Sequence, residues 1–173
     1  MKKLIFTIST LALVLNFAFA NPLEFKTLSS DFTQSVKSDG SEIKYSGNFI
    51  ATNTHALWQY KSPSIKDIYF SFERVVIIEP ELEQVILTNL KDVPNLTKVM
   101  QSAVKDSEDK YSAEFDGVLY HLEFKDTLIE TIKYKDKLDN EVVIKFSNVQ
   151  KDRSVDNQIF LPEIPANFDI ITQ

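Results

Sequence analysis

The residues that could do chemistry are few and scattered. His55 and His121 each fall beside a predicted strand, and neither has a second ligand-type side chain at metal-site spacing. Both read as solvent-facing strand residues. The chain has no cysteine, so it offers no thiol nucleophile, no thiolate metal site and no disulfide. Gly40, Gly47 and Gly117 are its only glycines, too dispersed for a phosphate-cradling loop or a nucleophile elbow. The acids from Asp106 to Asp109 lack the spacing and mid-loop glycine of a calcium loop and read as a solvated turn. Lys133, Lys135 and Lys137 lie on one side of a strand and suit a charged outer edge. These residues build no catalytic constellation. The expectation is a protein that is not an enzyme, uses no metal or cofactor, and binds through apolar surface.

The elements that could form such a surface begin after residue 20. Lys2 and Lys3 precede an apolar run from Leu4 to Phe17, and Ala18-Phe19-Ala20 puts small residues where a signal peptidase reads. The run falls short of the roughly 20 apolar residues that span a bilayer. Residues 1–20 are therefore expected to be a cleaved signal peptide that exports the chain to a bacterial periplasm. Residues 21–173 are expected to form a single domain. Cleavage removes two lysines and no acid, taking the formal charge from −6 to −8. Such a balance argues against nucleic acid and against anionic lipid surfaces as partners. It suits a soluble protein that meets basic patches on protein partners. No cysteine is available to carry a lipid anchor, so the chain is expected to diffuse freely, as a monomer.

Two segments carry helical spacing. Phe25, Leu28, Phe32 and Val36 predict a helix over Pro22 to Val36, ended by Ser38-Asp39-Gly40. Leu96, Val99, Met100, Ala103 and Val104 predict a second helix beginning at Pro94 and stopped by the acids from Asp106. Almost everything else alternates with period two. Ile43, Tyr45, Gly47 and Phe49 share one face; Ala56, Trp58 and Tyr60 another; Ile68, Phe70 and Phe72 another. Val75 to Ile78 is apolar on both sides, as a fully covered strand would be. Val142, Ile144 and Phe146 repeat the pattern late in the chain, and a last strand is expected over Gln158 to Leu161. About ten strands at hairpin-like intervals predict an antiparallel meander. Two short helices cannot cover both faces of so many strands, so the apolar faces must curl toward one another. The inward set could fill a core or line a cavity.

Four stretches add a resemblance. Phe32-Thr33-Gln34 lies in the first predicted element, and His55-Ala-Leu-Trp58-Gln-Tyr60-Lys-Ser-Pro63 is an aromatic strand ending in proline. Glu79-Pro80-Glu-Leu-Glu83-Gln84-Val85 is a proline turn opening a strand, and Phe160-Leu-Pro162-Glu-Ile-Pro165-Ala-Asn-Phe168-Asp169-Ile170-Ile171 closes the chain. Taken in order from about Phe25 to Ile171, they resemble the periplasmic outer-membrane lipoprotein carrier family, LolA. The resemblance implies a mainly β fold with an α lid: an unclosed antiparallel half-barrel whose hydrophobic cavity is covered by short helices. It implies a carrier that takes triacylated lipoproteins from an inner-membrane ABC transporter to an outer-membrane acceptor. Phe49, Trp58, Tyr60, Phe70, Phe72, Val142, Ile144 and Phe146 would line the acyl-chain cavity, and Leu96, Val99 and Met100 would face them from the lid.

The chain departs from the family's pattern at two points. Relatives commonly carry Arg-Pro where this chain has Thr52-Asn53, and that arginine helps hold the lid shut. They also often carry an Asp-Gly turn where this chain has Ser71-Phe72. Other functions compatible with the same residues are a periplasmic module that binds or senses another lipid, a lipid-processing hydrolase, and a structural protein with a filled core.

Overall fold

A computed structural model of the chain describes residues 21–72, 74–89 and 95–173. The expected signal peptide and Pro94 lie outside the described residues. Within them the chain forms β1 (Thr27–Ser38), β2 (Ser41–Thr52), β3 (Ala56–Ser62), β4 (Lys66–Phe70), β5 (Val75–Glu79) and β6 (Gln84–Thr88). There follow α1 (Leu96–Ser102), β7 (Val104–Ser107), β8 (Lys110–Phe115), β9 (Val118–Lys125), β10 (Leu128–Lys135), β11 (Glu141–Lys151) and β12 (Asp169–Thr172). All twelve strands join one sheet in the order β12-β6-β5-β4-β3-β2-β1-β11-β10-β9-β8-β7. Two antiparallel meanders thus meet where β1 pairs with β11, and β12 adds in parallel to β6. The end strands β12 and β7 do not pair with each other, so the sheet is unclosed.

The first predicted helix is a strand. Leu28, Phe32 and Val36 are spaced by four, which satisfies a period of two as well as one of 3.6. Ser30 and Gln34 share their face and mask the alternation. β1 pairs with β2 along its whole length and is the seam between the two meanders. On the opposite face, the side-chain amides of Asn48 (β2) and Asn148 (β11) each donate to one carboxylate oxygen of Asp31. This clips the seam at a register shift between Ser29 and Asp31.

The expected strand over Gln158 to Leu161 is a 3₁₀ turn, Asn157–Phe160. Asp156 caps it by accepting from the Gln158 backbone N–H at 3.0 Å, which bends the chain before a ladder can form. The last strand instead lies about ten residues further on, at Asp169–Thr172. The predicted Pro94 helix is present as α1, shorter than expected. Asn95 caps it by accepting from Lys98 N–H, and Ala103 leaves it in extended conformation. It ends before the acids. Val104 and Asp106 belong to β7, and the turn falls at Glu108-Asp109. α1 is the only α-helix among the described residues.

One apolar cluster joins inward side chains from both meanders, among them Phe32, Phe49, Trp58, Phe70 and Val75 with Tyr111, Leu122, Ile132, Ile144 and Phe146. The sheet must therefore curl about that cluster, and its concave face is the protein's principal core. Gly47 makes a close strand approach possible. A Cβ there would stand 1.9 Å from the Gln59 carbonyl oxygen. A smaller cluster on the convex face, Val76, Ile78 and Val85, packs with Tyr69, Leu87 and Phe168. Val75 to Ile78 is thus covered on both sides, as its composition predicts.

Candidate functional site

The concave face is built by register. Across β2 to β6 and β12, Phe49 lies opposite Trp58, Trp58 opposite Ile68, Ile68 opposite Ile77, Ile77 opposite Ile86, and Ile86 opposite Ile171. Because paired residues point to the same side of a sheet, this is one continuous apolar row. Its exposure rises from 0% at Phe49 and 4% at Trp58 to 39% at Ile171 on the edge strand. The row begins in the core and ends in solvent.

At its buried end the aromatic rings are in contact. Phe49 and Trp58 have centroids 4.3 Å apart, Phe32 meets Trp58 edge-on at 4.8 Å, and Phe146 lies 6.2 Å from Trp58 across the barrel. Such packing holds an apolar surface without directional bonds. α1 closes over it. Leu96, Val99 and Met100 are all buried, with Val99 at 0% exposure. Beside Leu96 remains a partly open cavity of about 150 Å³, lined also by Gln34, Trp58, Tyr60, Ile68, Phe70, Tyr134 and Ile144. A void of about that volume holds a molecule the size of benzene.

Seven of the eight expected cavity residues are on this face: Phe49, Trp58, Phe70, Val142, Ile144 and Phe146 buried, and Tyr60 half-buried. Phe72 is not. It is 70% exposed, because β4 ends at Phe70 and the Ser71 N–H donates to the Arg74 carbonyl, turning the chain before a third inward residue can follow. Its ring instead lies 6.1 Å from His55. His55 also departs from expectation. It is half-buried in the β2–β3 connection, with the Phe160 ring 5.7 Å away. Ile77, Ile86 and Ile171 escaped the sequence reading; the first two sit in an unbroken apolar run, where alternation gives no face.

Polar groups on the concave face cluster at its tyrosine end. The Tyr60 hydroxyl donates to Gln34 Oε1 at 2.8 Å, and the Tyr45 ring stands edge-on to Tyr60 at 5.8 Å. Burial, then the neighbouring Tyr45, pushes the Tyr60 phenol well above its ordinary value. Tyr134 is pushed up in the same way, by burial and then by Tyr120 and Tyr60. Tyr120 reaches about 12, again through burial first and then Asp116 and Asp136. These hydroxyls therefore stay protonated at any physiological pH and can act as donors. Among the described residues no group of three or more metal-ligating side chains gathers here or elsewhere.

The comparison with known proteins matches this geometry. Residues 24–118 match the family model described as outer membrane lipoprotein carrier protein LolA. The outer-membrane lipoprotein carrier protein of Campylobacter jejuni is 40% identical over 153 residues, 88% of this chain and 90% of the relative. The chain belongs to the LolA family. The family's proteins of the same description from Wolinella succinogenes and Helicobacter hepaticus are 31% and 28% identical, covering 83% and 99% of this chain and 86% and 96% of the relatives. A solved LolA superfamily protein from Nitrosomonas europaea superposes with a TM-score of 0.51 at 12% identity, over 83% of this chain and 94% of that one. A conserved protein from Thermus thermophilus gives 0.54 at 9%, over 88% and 94%. Those two likenesses are of fold.

At Thr52-Asn53 the β2–β3 connection touches the helix. Gln101 Nε2 of α1 donates to the Asn53 carbonyl at 3.3 Å. Thr52 serves its own turn, accepting from His55 N–H at 3.1 Å.

Proposed function

We propose that this protein carries lipoproteins through the periplasm, holding their acyl chains against the concave face beneath α1. The cargo is the triacylated class, received from an inner-membrane ABC transporter and passed to an outer-membrane acceptor. The carrier works as a monomer, after removal of residues 1–20, and without catalysis. The observation that carries this reading is membership of the LolA family over most of the chain. The concave row supplies its physical basis.

The mechanism follows from the size of the problem. Burying an acyl methylene is worth about 0.8 kcal/mol, so three chains of roughly 16 carbons would gain at most ~38 kcal/mol on leaving water. A carrier must supply comparable apolar surface and still release its load. Phe49, Trp58, Phe70, Val142, Ile144 and Phe146 supply it by dispersion and exclusion of water. Leu96, Val99 and Met100 leave the sheet for a chain to enter. Their own burial then competes with the cargo for the same surface, which keeps net affinity moderate. An apolar chain shifts the population toward the open form because only that form contacts it. The row through Ile77 and Ile86 to Ile171 gives the chain a continuous path from the sheet edge.

The test is native mass spectrometry of the mature chain mixed with a purified triacylated lipoprotein in low detergent. A one-to-one soluble complex is expected, and it should be lost when Trp58 is replaced by aspartate in protein that remains folded. Absence of any complex with the wild-type chain would contradict the reading.

A further inference from the structure

Gln34 stands on a face where every neighbour in register is apolar or aromatic. It lies opposite Tyr45 on β2 and Ile144 on β11, and it follows Phe32 and precedes Val36 on the same side of β1. A leucine there would extend the concave lining without loss. A partly buried carboxamide costs free energy unless both of its ends are bonded. Here one end is. The Tyr60 hydroxyl occupies Oε1, which leaves the two Nε2 hydrogens as donors at the wall of the cavity. Tyr134, on the same wall, offers a hydroxyl that stays protonated.

Position matters as much as chemistry. Along β1 the concave side chains pass from Phe32, fully buried, to Gln34 and Val36, half-buried, to the exposed hairpin at Ser38. Along β2 they pass from Phe49 through Tyr45 to Ile43, which is half exposed. Gln34 therefore marks the level at which the apolar interior gives way to solvent. A lipid that fills the interior has its own polar boundary at the carbonyls joining its chains to the head. Those carbonyls accept hydrogen bonds and donate none, which is the complement of a Gln34 whose acceptor is already taken.

We propose that Gln34, oriented by Tyr60, is the hydrogen-bond donor that recognises the acyl carbonyls at the head of the bound lipid and sets how deep its chains sit. The inference rests on the carrier reading and adds a specificity-determining residue to it. Tyr60 is a positioning residue. Its hydroxyl fixes which end of the carboxamide faces the lipid.

The test compares two synthetic probes with the mature chain: a triacylated cysteinyl lipopeptide, and its analogue with the ester-linked chains replaced by ether-linked ones. The wild-type protein should bind the ester form about five- to tenfold more tightly, the worth of one ordinary hydrogen bond. Gln34→Leu should erase that ratio while binding the ether form at least as well. Tyr60→Phe keeps the ring against Phe32 and Tyr45 and should reduce the ratio without erasing it, so the inference remains testable if Gln34→Leu fails to fold. An unchanged ratio in both variants, or no discrimination by the wild type, overturns the role of Gln34 and leaves the carrier reading standing. Failure of the wild type to bind either probe overturns both.

Discussion

The two apolar faces of the same sheet are covered in different ways. On the convex side, Val76, Ile78 and Val85 lie under the chain's own C-terminal segment through Phe168. That cover is tied down by backbone. β12 pairs residue by residue with β6, the Asp169 N–H donates to the Glu83 carbonyl at 2.9 Å, and the Gln173 N–H donates to the Leu87 carbonyl at 3.0 Å. On the concave side the cover is seven residues of helix, too short to persist on its own. Gln101 to Asn53 is its one hydrogen bond to the rest of the molecule among the described residues. Thr97 Oγ1 is buried there without a partner, which costs the closed position about 1–3 kcal/mol. The proposed carrier mechanism needs the first cover to stay and the second to leave. The physical lesson is that equal burial does not mean equal permanence; what differs is whether backbone ladders or side-chain contacts alone hold the cover.

The sharpest way to break this comparison uses two valines, both at 0% exposure. Val85→Asp, on β6, should abolish cooperative unfolding or cost about 3–5 kcal/mol, as an unpaired buried charge does. Val99→Asp, on α1, should leave the β circular-dichroism signal and a cooperative urea transition in place. It should also open Trp58 to fluorescence quenching by iodide. If Val99→Asp unfolds the sheet as completely as Val85→Asp, α1 is part of the core and not a removable cover.

Gln101→Ala removes the one polar tie. Hydrogen exchange of the 96–102 amides should speed up by an amount equivalent to about 1 kcal/mol, with the global unfolding free energy unchanged. Thr97→Val should act in the opposite sense by a similar or smaller amount, because it replaces an unsatisfied hydroxyl with a methyl of the same shape. Equal effects on α1 and on β6 amides would show that the helix does not open separately.

The smallest effect concerns pH and the convex side. Asp67, in register with Ile78, has its carboxyl pushed above the usual range by burial, against a lowering hydrogen bond with Gln59. A carboxyl raised in the folded state favours the protonated form there, so stability falls as pH rises from the unfolded value of about 3.8 through the folded one. Asp67→Asn should therefore raise the melting temperature at pH 7 and lose that advantage near pH 3. A variant less stable than wild type at pH 7 would show that the carboxylate is stabilising instead.

Much of this architecture was legible in the sequence because alternation is strict where one face is buried. Phe49, Trp58 and Tyr60, and Val142, Ile144 and Phe146, can be placed on their face from period two alone. The reading failed where polarity and spacing conspired. The four-residue interval of Leu28, Phe32 and Val36 fits two periods, and the inward Ser30 and Gln34 concealed the correct one. The polar residue that disguised the strand is the one that gives the cavity its donor. Phe72 was misplaced because period two was carried past the turn at Ser71. β12 could not be seen, since all four of its residues are exposed and its partner β6 lies far back in the chain. Gln101 was silent for another reason: the tie it makes is to a backbone carbonyl, which leaves no complementary residue type to find.

The central claim is that cargo enters only when α1 leaves the concave face. The chain has no cysteine, so Asn53→Cys with Gln101→Cys creates a unique pair at the contact between the helix and the β2–β3 connection. Loading of a triacylated lipopeptide should be measured before and after that pair is joined by a short, reducible dithiol cross-linker. The account predicts loading in the open form, loss of loading on cross-linking, and recovery on reduction. Equal loading with the cross-link intact would contradict it.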